Sequence, residues 1–122
     1  ADPTDEGAAA YSETCLPLYN PGPARDGSDR RRATMRTDTL IHFVKGEQQT
    51  MDLLPGLAHV RCPTLVLSGA LDPITPPSCA QAIYDALPQA HSELRLFAEA
   101  GHGVFRDLPD EAETVLRGFL AS

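Results

Sequence analysis

No apolar run in this chain approaches the roughly 18 residues of a membrane span, so no membrane partner is expected. Basic residues are scarce. Ten Lys and Arg stand against 17 Asp and Glu, a formal net charge of −7. A phosphate-binding surface needs a basic excess, which argues against nucleic acid as a partner. There is no Gly-x-Gly-x-x-Gly segment, and the single lysine, Lys45, follows no phosphate loop, so a nucleotide site is not expected. His42, His59, His91 and His102 lack ligand spacing, and neither a metal nor a cofactor is expected. The three cysteines, Cys15, Cys62 and Cys79, form an odd set. They read as buried, reduced thiols, which favours the cytoplasm over secretion.

What is present falls into two parts of different character, residues 1–55 and 56–122. In the first, Thr4 is a candidate N-cap with Asp5 and Glu6 in the opening turn, and Pro17 should end that helix near Leu16. Asn20-Pro21-Gly22-Pro23 through Gly27-Ser28 reads as loop, and a second helix is expected from Ser28 or Asp29 toward Val44. The arginine run Arg30-Arg31-Arg32 reads as a solvated helix face.

The second part has a cleaner rhythm. Thr64-Leu65-Val66-Leu67 is apolar without alternation, as in a parallel strand covered on both faces. Thr75-Pro76 supplies an expected N-cap and first-turn proline for a helix with Cys79, Ile83, Ala86 and Leu87 inward. Leu94, Leu96 and Phe97 mark a second strand. Asp107 and Pro109 open a last helix with Ala112, Val115, Leu116, Phe119 and Leu120 on one face. Strand, helix, strand, helix is a βαβ crossover with a closing helix, so the fold class is α/β.

In parallel sheets, ligands and catalytic groups gather at the carboxyl ends of the strands. Asp72 follows the first strand and His102 the second. A right-handed crossover brings both to the same sheet edge. A carboxylate accepting the imidazole Nδ1–H would fix the tautomer and leave Nε2 to take a proton from a nucleophile. The glycines of Gly101-His102-Gly103 would let the backbone turn sharply beside the ring.

The run Cys62-Pro63-Thr64-Leu65-Val66-Leu67-Ser68-Gly69-Ala70-Leu71-Asp72-Pro73-Ile74-Thr75-Pro76, with Ala100-Gly101-His102-Gly103-Val104-Phe105, resembles the acid and histidine motifs of α/β-hydrolases. His42-Phe43-Val44-Lys45-Gly46-Glu47 and Met51-Asp52-Leu53-Leu54 are similar to the lid-to-core passage of proline iminopeptidase-like members. The resemblance implies the C-terminal part of an α/β-hydrolase core in residues 56–122, preceded by a partial helical cap or lid in 1–55. It implies a serine hydrolase acting on an ester, amide or peptide, with Asp72 and His102 as catalytic acid and histidine. His42, Phe43 and Ile74 are then expected to border the substrate cleft. The acid that family aminopeptidases carry before the His-aromatic pair falls here on Leu40. A non-peptide acyl substrate is therefore expected at least as readily as a peptide N-terminus.

The nucleophile is missing. None of Ser12, Ser28, Ser68, Ser78, Ser92 and Ser122 lies in Gly-x-Ser-x-Gly, the elbow on which the family carries its serine. The expected partner is the N-terminal half of the same hydrolase, and the 122-residue chain alone is expected to be inactive. The competing expectation is a non-enzymatic ligand-binding or interaction protein that keeps the hydrolase architecture.

Overall fold

The computed structural model describes residues 4–19 and 36–122, and these divide into two units. The first holds residues 4–18 and 36–52, and the second holds Tyr19 with residues 53–122.

In the first unit, helix α1 spans Asp5–Thr14, and the Thr4 hydroxyl caps it by accepting the Gly7 N–H at 3.0 Å. Pro17 falls in a short 3-10 turn, Leu16–Tyr19, so the α-helix stops before it, as its missing N–H requires. Helix α2 covers Thr37–Lys45 and closes on Gly46, whose N–H reaches the carbonyls of His42 and Phe43. The expected start of this helix near Ser28 and the Arg30-Arg31-Arg32 face lie outside the described residues.

The second unit carries the sheet. A 3-10 segment, Leu54–His59, leads to strand β1, Thr64–Gly69. Helix α3, Pro77–Ala86, crosses to strand β2, Ser92–Phe97. A one-turn helix α4, Val104–Asp107, and helix α5, Pro109–Leu120, complete the chain. β1 and β2 pair in parallel, with Thr64 opposite Ser92 and Gly69 opposite Phe97. The βαβ unit and closing helix read from the sequence are present.

The core is small and lies where β2 meets the two last helices. Phe97, Ala100 and Ala112 are fully buried, with Leu67, Val104, Leu108 and Val115 packed around them. Two alanines at its centre let α5 approach the loop after β2 closely.

The inward face of α3 differs from the expected one. Ala80 and Leu87 are buried, whereas Cys79 and Ile83 are exposed. The helix begins at Pro77, one residue later than a Thr75 cap would start it, with Ala80 buried, Tyr84 half-buried and Leu87 buried just past its end. Cys62 is also exposed and Cys15 only half-buried, so the expectation of buried thiols fails at all three positions, although all three are free. Leu96 and Leu120 are exposed too, because among the described residues nothing packs on the outer side of β2 or on the end of α5.

Backbone meets backbone where the strands end. A Cβ on Gly69 would collide with the carbonyls of Ala100 and Gly101, whereas one on Gly118 in α5 would meet open space. We expect Gly69→Ala to destabilise the chain by about 3 kcal/mol or more, since main chain cannot yield as a side chain does. Gly118→Ala should stabilise it by roughly 0.5–1 kcal/mol through helix propensity. Urea midpoints of the two variants, moving in opposite directions, check both.

Candidate active site

The loops after β1 and β2 are stitched together before either functional side chain is reached. The Ala70 N–H donates to the Phe97 carbonyl and the Leu71 N–H to the Ala100 carbonyl, each at 2.9 Å. These bonds carry the strand pairing past the ends of the strands, one residue short of Asp72.

Asp72 is 8% exposed, and its carboxylate is fully engaged. Oδ1 accepts the N–H groups of Ile74 at 2.8 Å and Thr75 at 3.0 Å. Oδ2 accepts the Thr75 hydroxyl at 2.6 Å and meets His102 Nδ1 at 2.9 Å. Burial pushes this carboxyl upward, but the Thr75 hydroxyl, the two amides and His102 outweigh it and hold it well below the ordinary carboxylate range. An ionised carboxylate only accepts, so the Nδ1 facing it carries the proton and Nε2 carries the lone pair. The His102 side chain is 41% exposed, which leaves the ring open to a reacting group.

His102 is fixed from three further directions. Its N–H donates to the Tyr19 carbonyl at 2.8 Å, and the Tyr19 ring stands edge-on to the imidazole with centroids 5.1 Å apart. Thr75 Oγ1 lies 3.3 Å from Nδ1. The preceding residue, Gly101, donates its N–H to the nearly buried Asp107 carboxylate at 2.8 Å. Gly103 sits at φ −121°, a conformation open to any residue, so the turn after the histidine does not rest on glycine freedom.

Of the residues expected at the site, the structure brings Asp72 and His102 together. Ile74 follows on the same loop, 45% exposed, with its N–H on the acid. His42 and Phe43 belong to α2 in the other unit, the first exposed and the second half-buried. Three residues near the dyad escape the sequence reading: Thr75, Tyr19 and Asp107. The sequence pattern places Thr75 and Asp107 at helix starts, yet α3 is capped by Pro76 and α5 by Leu108 without side-chain bonds. The threonine and the aspartate instead bind Asp72 and Gly101. The Asp-x-x-Thr spacing, which favours side-chain bonds back into a turn, was the available signal for Thr75. No local pattern announces Tyr19.

Comparison with known proteins fits this geometry. The sequence matches the family described as serine aminopeptidase, S33, over residues 27–109. The chain belongs to that α/β-hydrolase family. It is 34% identical over 74 residues to a pimeloyl-[acyl-carrier protein] methyl ester esterase from Serratia marcescens, covering 61% of this chain and 28% of the esterase. Among solved structures it is similar to an esterase from Exiguobacterium antarcticum (TM-score 0.73, 20% identity, 96% of this chain and 42% of that one). An α/β-hydrolase enzyme from a Medee basin deep-sea metagenome library gives a TM-score of 0.69 at 25% identity, over 95% of this chain and 45% of that one. The chain thus spans less than half the length of these relatives. The two-stranded arrangement is accordingly part of an α/β-hydrolase fold. Among the described residues, no helix is long and apolar enough to cross a membrane.

Because Asp72 is held ionised below its ordinary value, its contribution to stability is present above about pH 4 and lost as pH falls toward the folded value. Thermal melts should therefore show stability falling below about pH 4. Asp72→Asn should flatten that acid limb while costing about 1–3 kcal/mol at neutral pH. An unchanged acid limb in the variant would remove Asp72 from the cause.

Proposed function

We propose that this chain supplies the acid and histidine of a Ser–His–Asp hydrolase, with the serine contributed by a part of the enzyme outside these 122 residues. The observation that carries the reading is the 2.9 Å bond from His102 Nδ1 to Asp72 Oδ2 at the carboxyl edge of a parallel pair. With Nδ1–H donated to the carboxylate, Nε2 accepts the proton of an attacking serine hydroxyl, and Asp72 steadies the imidazolium that forms. The same Nε2 then returns the proton to the leaving group.

The two serines on the strands do not suit attack. Ser68 is buried inside β1, and Ser92 is buried with its hydroxyl on the Pro88 carbonyl. The substrate we assign is an ester. The methyl ester esterase relative supports this, as does Leu40 at the position where family aminopeptidases hold a free amine. The proline iminopeptidase-like cap passage leaves a short peptide as the variant of this reading, with Ile74, beside the acid, bordering the acyl or peptide site. Three free thiols suit a reducing compartment and support a cytoplasmic site of action.

The test is reconstitution. The 122-residue chain alone should hydrolyse neither p-nitrophenyl butyrate nor an aminoacyl p-nitroanilide above buffer rates. Combined with the serine-bearing part of the enzyme it should turn over the ester. His102→Ala should then lower kcat by about 10⁴-fold or more, and Asp72→Asn by a similar order. Turnover that survives His102→Ala would end the triad reading. An assembled protein that binds esters without cleaving them would make this a ligand-binding member of the family.

A further inference from the structure

We propose that Thr75 is a positioning residue for His102: its hydroxyl commits its proton to Asp72 and turns a lone pair toward Nδ1, holding the imidazole in the tautomer that leaves Nε2 free. The three atoms involved form a closed set. Thr75 Oγ1 is 2.6 Å from Asp72 Oδ2 and 3.3 Å from His102 Nδ1, and Oδ2 is 2.9 Å from Nδ1. A hydroxyl has one proton and two lone pairs. At 2.6 Å that proton belongs to the charge-assisted bond with the carboxylate, the stronger of the two contacts. What Thr75 then offers Nδ1 is an acceptor. Both oxygens facing Nδ1 are acceptors, so a ring protonated at Nε2 alone would set a lone pair against two others.

The surroundings leave few substitutes for this hydroxyl. The Asp72 side chain is 5% exposed, so solvent has little access to replace a lost donor. Its four acceptor positions are filled by the Ile74 and Thr75 amides, the Thr75 hydroxyl and His102. The remaining groups around His102 do not address Nδ1. The Tyr19 ring meets the imidazole edge-on. Asp107, with Arg106 at 3.7 Å, acts on the Gly101 amide.

For catalysis the inference rests on the hydrolase reading above, but its main test does not depend on turnover. Ring ¹⁵N spectra of the histidine-labelled chain and ¹³C spectra of its labelled aspartate carboxyls are recorded for wild type, Thr75→Val and Thr75→Ser. In wild type, neutral His102 should show a single Nδ1–H pattern. Thr75→Val should mix in the Nε2–H form, and Asp72 should titrate about one pH unit higher for want of one charge-assisted donor. Thr75→Ser should return both signals to the wild-type pattern. In the assembled enzyme, Thr75→Val should lower kcat about tenfold with KM unchanged, a fraction of the general-base contribution. A Thr75→Val chain with unaltered ring pattern and unaltered Asp72 titration overturns the proposal, whatever the assembled enzyme does. Should Thr75→Val not fold, Thr75→Ala carries the same measurements. If neither folds while Thr75→Ser does, the hydroxyl is structural and the positioning role is refuted. Altered spectra beside an inactive assembled wild type would uphold Thr75 and reject the hydrolase reading instead.

Discussion

Everything at this site depends on the close approach of two main chains beyond the ends of β1 and β2. Gly69 lies against the carbonyls of Ala100 and Gly101, and the Leu71 N–H is bonded to the Ala100 carbonyl. Asp72 and His102 follow within one or two positions of these contacts. The separation of Asp72 and His102 is therefore set by backbone hydrogen bonds, which have little freedom, and only secondarily by rotamers. Phe97, Ala100 and Ala112 anchor the same junction from below, so the core and the site share their determinants.

The electrostatics follow from that packing. A carboxylate taken this far from water is costly unless its acceptor sites are filled. Asp72 meets the requirement with two amides from its own loop, the Thr75 hydroxyl and the imidazole. Three of those four donors come from residues 74 and 75, so the loop after β1 builds a charged pocket before His102 arrives. The histidine then meets a carboxylate that is already ionised and already oriented. This is the preorganisation that general-base chemistry needs, since no solvent or side chain must rearrange when the imidazolium forms.

What the sequence makes legible is the part fixed by periodicity and strand-end position. The unbroken run Thr64–Leu67, the Pro-bounded α3 and the apolar repeat of α5 lead to a parallel βαβ unit, and that topology alone brings Asp72 and His102 to one edge. Less legible are features decided by a single side-chain choice. Thr75 can cap a helix or bind the carboxylate three residues before it, and the buried charge of Asp72 makes the second bond the stronger. Asp107 faces the same choice, and the Gly101 amide in the buried junction prevails over the start of α5. Tyr19 is illegible for another reason: its role comes through a carbonyl, which every residue has, and a ring contact across distant sequence. The inward face of α3 is legible only in part: Leu87 is buried as expected, but Ala80 rather than Cys79 or Ile83 is buried within the helix.

The contacts that set the dyad all belong to one unit, Tyr19 with residues 53–122. The geometry of acid and histidine is thus a property of this segment by itself. Nε2 belongs to a partly exposed ring, and the buried Ser68 and Ser92 are committed to the strands that hold the sheet together. On the proposed Ser–His–Asp reading, precision and reactivity lie in different stretches of chain. The acid–histidine half must be exact, because a tautomer or a misdirected carboxylate decides whether Nε2 is a base at all. On that reading the serine is delivered to a base that is already in place. The rigid junction after β1 and β2 is what holds Asp72 and His102 at hydrogen-bond distance.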